Sequence, residues 1–368
     1  MPVPAIAFDL TPLQNAHRYR GIGTYVRGLA GRLAAQSEVP LEFWALPGEP
    51  PLDIGAPHRL VRLRKLPSPE YRGAWLFQHL TMRLSARASP VRAVHITDPE
   101  ALTRLGSRAL LTTVYDLIPL KEGISPRRVI AWAGYQSYLR ALRRADMLFA
   151  ISNHTAGDLE KILGLPQDRI IVAAPGIDLV SSDADPVAPS PPYFLFLGGP
   201  NPNKNLGLLL DAYAMRSELP EELRVAGRWL PGQVAALEAT IRAKGLNGRV
   251  RHVGFVATDE LPALMRNATA LVVPSLDEGF GLPVGEGLAA GAVVIHSQIP
   301  VLDETSAGSA LTFDLHSAAD LAACLRRAST DSALRRDVRA RGRQRARELT
   351  WDDAVTRTID AYRRFLRT

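Results

Sequence analysis

Glu278 and Glu286 bracket the stretch Glu278-Gly-Phe-Gly-Leu-Pro-Val-Gly-Glu286. Gly279 and Gly281 can take backbone angles closed to other residues and expose N–H groups at close range. Pro283 suits the first turn of a helix and Gly291 its end. A helix start adds unpaired N–H donors and positive dipole potential, which together make a phosphate cradle. A carboxylate accepting two hydrogen bonds suits a vicinal diol, as in ribose or a hexose. Diols flanking a diphosphate describe a sugar nucleotide. The plainer reading makes Glu278 a cap acid and Glu286 a solvated surface acid.

A second element supports the first. Gly198-Gly-Pro-Asn-Pro-Asn-Lys-Asn205 follows an apolar run and precedes a helical pattern, with Asn205 as its N-cap. Lys204 then stands at the carboxyl end of a strand, where a fixed cation neutralises charge on a departing diphosphate. Its alternative is a solvated turn lysine. Nearer the start, Arg20-Gly-Ile-Gly23 opens another helix, and Gly21 and Gly23 would let amides approach phosphate oxygens. Asp116 ends a strand and reads equally as a cap. His95 and Asp98 end another strand and are weighed as acceptor-side residues against a structural role. No His/Cys/Asp/Glu grouping has metal spacing, so no metal is expected.

These residues need elements to hold them. Short β-branched runs alternate with amphipathic stretches, the pattern of βαβ units and parallel sheets. The reading places strands at 5–10, 41–46, 60–64, 93–97, 110–116, 147–151 and 169–173, and helices at 25–35, 71–86, 126–144 and 155–163. A proline-rich stretch at 180–192 holds neither helix nor central strand and reads as an interdomain linker. Strands resume at 193–197, 223–226, 250–255, 270–273, 293–296 and 311–313. The expected domains are 1–182 and 192–350, with a helix at 351–368 packing back on the first. Ligands in such sheets bind outside the carboxyl ends of strands.

A chain of 368 residues suits two α/β domains. Its single cysteine, Cys324, excludes an internal disulfide and reads as a buried thiol. No apolar run reaches the roughly 20 residues of a membrane span. The start of the sequence lacks a basic n-region and reads as a first strand rather than a signal peptide, so a cytoplasmic protein is expected. The net charge of +7 belongs to the first 178 residues, with balance in the rest. Such a half attracts an anionic acceptor or membrane surface, or is simply a soluble arginine-rich surface. No motif suggests nucleic acid. The arginines at 335–347 read as a solvated helix face, with peripheral membrane docking as the other option.

Taken together, the chain resembles family 4 of the retaining GT-B glycosyltransferases, close to a mannosyltransferase-like subgroup. Glu278 to Glu286 matches that family's Glu-x7-Glu motif with its Gly-Phe-Gly insert. Supporting matches are the 198–205 turn, Arg20-Gly-Ile-Gly23, Val114-Tyr-Asp-Leu-Ile-Pro-Leu120, Ile151-Ser-Asn-His-Thr-Ala-Gly-Asp-Leu159 and Ala174-Pro-Gly-Ile-Asp178. The resemblance implies two Rossmann-like domains facing across a cleft. It implies that Glu278 contacts the transferred sugar with the amides of Phe280 and Gly281, and that Leu282 and Lys204 bind the diphosphate. Glu286 would take the ribose, Gly21 phosphate from the other lobe, and Val256, beside Phe255, the base. In this sequence Gly199 stands where many relatives have arginine, and Tyr115 where many have histidine, leaving Asp116 or Tyr115 to act there.

The implied reaction moves a hexose from a GDP- or UDP-sugar to a hydroxyl of a glycan or lipid-linked acceptor, with retention and without cofactor or metal. Front-face attack needs mainly positioning and charge stabilisation. Two other readings stand beside it: a GT-B epimerase, and a catalytically silent nucleotide-sugar-binding protein.

Overall fold

The structure is a computed structural model, and it describes residues 6–47, 52, 59–63, 74–103, 105–122, 129–178 and 191–367. It divides into two units, 1–176 with 351–368, and 177–350. The expected linker at 180–192 lies almost wholly outside the described residues. The boundary falls at Gly176/Ile177, because the Ile177 amide bonds the carbonyl of Leu349 and so belongs to the second unit.

The first unit holds a seven-stranded parallel sheet. Its strands are β1 (Ile6–Asp9), β2 (Leu41–Ala45), β3 (Arg59–Arg62), β4 (Ala93–Ile96), β5 (Ala109–Val114), β6 (Met147–Ala150) and β7 (Ile170–Val172). The order is β3-β2-β1-β4-β5-β6-β7. Strands β1, β2 and β4 are buried at every position, as expected of strands covered on both faces. Helix Gly21–Gln36 buries Tyr25, Val26, Leu29, Ala30 and Leu33 along one stripe. Gly28 on that helix leaves room for the indole of Trp351, which a Cβ would approach to 2.2 Å. Helix Asp352–Arg367 follows and buries Val355, Ile359 and Tyr362, with the Tyr362 hydroxyl 2.6 Å from His95 Nδ1.

The second unit holds six parallel strands. They are β8 (Tyr193–Leu197), β9 (Glu222–Ala226), β10 (Val250–Gly254), β11 (Ala270–Val273), β12 (Val294–Ser297) and β13 (Leu311–Phe313), ordered β10-β9-β8-β11-β12-β13. The connection reverses between β8 and β11, as it does between β1 and β4 in the first unit. That reversal opens a crevice at the carboxyl ends of the two strands.

One expectation changes. Helix Ser332–Glu348 is not a merely solvated arginine face. Arg335 donates to the carbonyls of Ala328 and Ser329, Arg339 to those of Arg266 and Ala268, and Arg345 to those of Glu304 and Thr305. These carbonyls end three neighbouring helices and lack intrahelical partners, so guanidinium groups satisfy them and complement the helix dipoles. Cys324 is buried, and burial pushes its thiol up to about 11, which keeps it protonated. Among the described residues no helix is long and apolar enough to cross a membrane.

Candidate functional site

Two loops meet across the β8/β11 crevice. Asn203, buried in the first loop, donates from its side chain to the Asp277 carbonyl at 2.5 Å, and its own carbonyl accepts from the Leu276 amide at 2.8 Å. This zipper brings Lys204 Nζ to 2.5 Å from Glu278 Oε1, which also accepts from the Ser275 hydroxyl at 2.6 Å. Both bonds fall on one carboxylate oxygen. Oε2 has no partner among the described residues, and Lys204, with three N–H donors, uses one here. The side chains remain 24% and 12% exposed, so the pair can still reach a ligand. Asn205 begins helix Leu206–Ala214 without the expected side-chain cap; its φ of +50° turns the chain, and Asn201 caps the preceding turn instead.

The cradle itself is a glycine geometry. Gly281 has φ +88° and a Cβ there would lie 2.4 Å from Leu302, so only glycine fits. It caps helix Leu282–Ala289, whose amides at Val284 and Gly285 bond the Gly281 carbonyl. Among the described residues, the N–H groups of Gly281 and Leu282 have no acceptor. Buried Phe280 turns its carbonyl to the Thr305 hydroxyl.

Glu286 lies one helical turn after Leu282 and therefore on the same face. Gly285 and Gly287 on either side let the helix sit tightly: Cβ atoms there would approach Ile177 and Leu271 to 2.8 and 2.7 Å. Burial pushes Glu286 up to about 7. Its carboxylate has no hydrogen-bond or ionic partner among the described residues. An unpaired, partly buried acid one turn from unpaired amides leaves its hydrogen-bonding capacity open to a ligand.

The other residues singled out divide cleanly. Gly199 is partly buried beside the carbonyl of Arg228, on the neighbouring loop after β9. Val256, after β10, is partly buried, and Phe255 beside it is 60% exposed. In the first unit Gly21 is exposed at the helix start, whereas Gly23 is explained by packing, since a Cβ would meet the His17 carbonyl at 2.5 Å. Asp116 accepts from the Ile118 amide at 3.0 Å and so caps helix Ile118–Glu122, the plain reading of that residue. Tyr115 is buried, donates to the Thr97 carbonyl at 3.0 Å and packs edge-on against Tyr25. Burial holds its phenol well above the usual range, so it is a core residue rather than a substitute acid. His95 is fully buried, stacked on Phe149 and bonded to Tyr362 and Thr113, and is structural.

The β1/β4 crevice of the first unit is filled by protein. Asp9 accepts from Thr11, Thr97 and Asp98 amides, and Asp98 accepts from Asn15 at 2.7 Å and from the Glu100 amide at 2.9 Å. Burial, with the charge of Asp9 behind it, pushes Asp98 up to about 7. Sequence reading missed Asn203, Ser275 and Thr305. The first two sit within three residues of Lys204 and Glu278, a signal that was available; nothing near Thr305 in the sequence marks it.

Among the described residues no group of three or more His, Cys, Asp or Glu could hold a metal ion. Residues 19–181 match the family model Glycosyltransferase Family 4, and residues 182–345 match Glycosyl transferases group 1. The chain is 27% identical over 246 residues to O-antigen chain mannosyltransferase B of Escherichia coli, covering 62% of this chain and 63% of that one. It is 26% identical over 276 residues to the serotype-specific mannosyltransferase WbdA of Escherichia coli, covering 69% of this chain and 33% of that longer protein. The chain thus spans less than two thirds of these relatives' length. Its fold superposes on sucrose-phosphate synthase of Thermosynechococcus elongatus with a TM-score of 0.80 at 20% identity, covering 98% and 99% of the two chains. It superposes on Anabaena HepE in complex with UDP and glucose with a TM-score of 0.72 at 15% identity, covering 97% and 98%. Two consecutive family models, a GT-B fold and the Glu278–Glu286 motif on its glycine cradle converge, and the chain belongs to the family 4 glycosyltransferases of the GT-B type.

Proposed function

We propose that the chain transfers a mannose- or glucose-like hexose from a nucleoside diphosphate sugar to a hydroxyl of a glycan or lipid-linked acceptor, with retention of configuration. The setting is synthesis of a surface polysaccharide or glycoconjugate, in the cytoplasm or at the inner membrane face, to which the basic first half would be drawn. The carrying observation is the pairing of a vacant acceptor with vacant donors on one helix face. Glu286 has no partner, one turn from the unbonded amides of Gly281 and Leu282.

In this reading Glu286 accepts from the ribose diol, and the two amides with the helix dipole hold the diphosphate. Glu278 keeps Oε2 for the hydroxyls of the sugar, while its Oε1 holds Lys204 in place. As the sugar–phosphate bond breaks, negative charge grows on the leaving oxygen. Lys204 and the amides stabilise it, and that oxygen receives the acceptor's proton as the new glycosidic bond forms. Val256 and Phe255 lie under the base. The phosphate charge is met by protein groups, so the reading calls for no divalent ion. The mannosyltransferase names among the relatives favour a GDP-sugar, and the HepE complex favours UDP.

The test is calorimetric binding of UDP and GDP, followed by transfer assays with the matching sugars. Glu286→Ala is expected to weaken binding of the preferred nucleotide roughly ten-fold or more. Donor consumed only in the presence of acceptor separates transfer from epimerisation. Binding without any turnover would identify a silent protein, and equal binding by wild type and Glu286→Ala would remove Glu286 from the site.

A further inference from the structure

The cradle depends on one peptide plane. A trans peptide is planar, with its C=O and N–H antiparallel, so fixing the carbonyl's direction fixes the amide's. The Phe280–Gly281 peptide is fixed from behind: Thr305, fully buried on helix Pro300–Ser306, donates its hydroxyl to the Phe280 carbonyl. Among the described residues, the one other acceptor within reach of that hydroxyl is the Val301 carbonyl, one turn back on its own helix at 3.1 Å. The N–H of Gly281 is thereby turned away from Thr305, and it has no acceptor among the described residues.

The helix that carries Thr305 is itself anchored. Arg345 donates to the carbonyls of Thr305 and Glu304 at 3.0 and 3.1 Å, and Leu302 fills the space where a Gly281 side chain would stand. Without the hydroxyl, the Phe280 carbonyl would be a buried acceptor with nothing to accept. Gly281, with φ in the left-handed region, can swing far enough to flip the plane and present a carbonyl oxygen to the phosphates instead of an N–H.

We propose that Thr305 is a positioning residue for donor binding: its hydroxyl locks the Phe280–Gly281 peptide so that the Gly281 amide faces the diphosphate. This rests on the donor site proposed above. Three variants are compared with wild type: Thr305→Val, which keeps shape and loses the hydroxyl, Thr305→Ser, which restores it, and Lys204→Ala. UDP and GDP binding is measured by calorimetry, and the Gly281 amide resonance is followed during nucleotide titration.

Thr305→Val is expected to bind the preferred nucleotide roughly ten-fold more weakly and to lose the Gly281 amide shift, while Thr305→Ser retains both. Thr305→Val binding like wild type, or Thr305→Ser failing as badly as Thr305→Val, overturns the proposal. Lys204→Ala separates the layers. If it weakens binding and Thr305→Val does not, only the Thr305 role falls; if neither changes binding, the donor site itself is misplaced.

Discussion

Apart from the extra edge strand β7 of the first sheet, the two sheets share one strand order and each reverses at its middle, yet their central crevices are finished differently. Between β1 and β4 the loops close on themselves: Asn15 bonds Asp98, Asp9 collects three amides, and Tyr115 fills in below Thr97. Between β8 and β11 the loops also meet, through Lys204 and Glu278, but the pair stays partly exposed and Glu286 with its neighbouring amides is left unfilled. A Rossmann topology supplies a crevice in both places. Whether it becomes a binding site depends on whether the polar groups there are spent on one another. Where they are spent, the crevice is part of the core; where they are held but unpaired, it awaits a ligand.

That contrast can be broken by substitution. Glu278→Ala should cut transfer roughly a hundred-fold or more with little change in Tm, because Lys204 loses its anchor and the sugar its acceptor. Asp98→Ala should do the reverse. It strands the Asn15 amide and the Glu100 N–H, lowering stability by about 1–3 kcal/mol per lost bond while nucleotide affinity holds. Transfer rates and melting curves on both variants decide it. If Asp98→Ala abolishes nucleotide binding while remaining folded, the first crevice is no mere core.

Gly281→Ala ranks next. A φ of +88° and the overlap with Leu302 should cost about 1–3 kcal/mol and also displace the amides, so affinity and Tm fall together.

The smallest effect is in pH. Glu286 and Asp98 both have folded values near 7, raised by burial, above those of an unfolded carboxyl. Between the unfolded value and 7 the folded chain holds more protons than the unfolded one. Stability from these groups is therefore full below the unfolded value and lost as pH rises through 7. The two differ in what a nucleotide does. A diol donates to the ionised Glu286, so binding should release a proton and tighten as pH rises from 6 to 8, and Glu286→Gln should flatten that slope. Asp98→Asn should leave the slope unchanged. Calorimetry in buffers of different ionisation enthalpy reads the proton directly.

Much of this was legible from residue order. The thirteen strands expected from β-branched runs all appear, most within two residues of the expected bounds, because doubly covered strands are marked by continuous apolar sequence. The cradle was legible too, since Gly281 and Pro283 announce their backbone roles locally. The misreadings share a cause. Tyr115 and the arginines of helix Ser332–Glu348 were judged by residue type, whereas their roles depend on partners distant in sequence: Thr97 and the ends of three helices.

Sequence alone determined that this chain would build two parallel α/β sheets and place Glu278, Glu286, Lys204 and a left-handed glycine at the carboxyl edge of the second. Those properties are carried by hydrophobic periodicity and backbone sterics, which act over a few residues. Only the tertiary structure decided which polar groups were satisfied and which were left waiting. Hydrogen-bond satisfaction is a property of all the elements that surround a group, and Thr305, remote from the motif in sequence yet bonded to the Phe280 carbonyl, is the instance that no local pattern foretells.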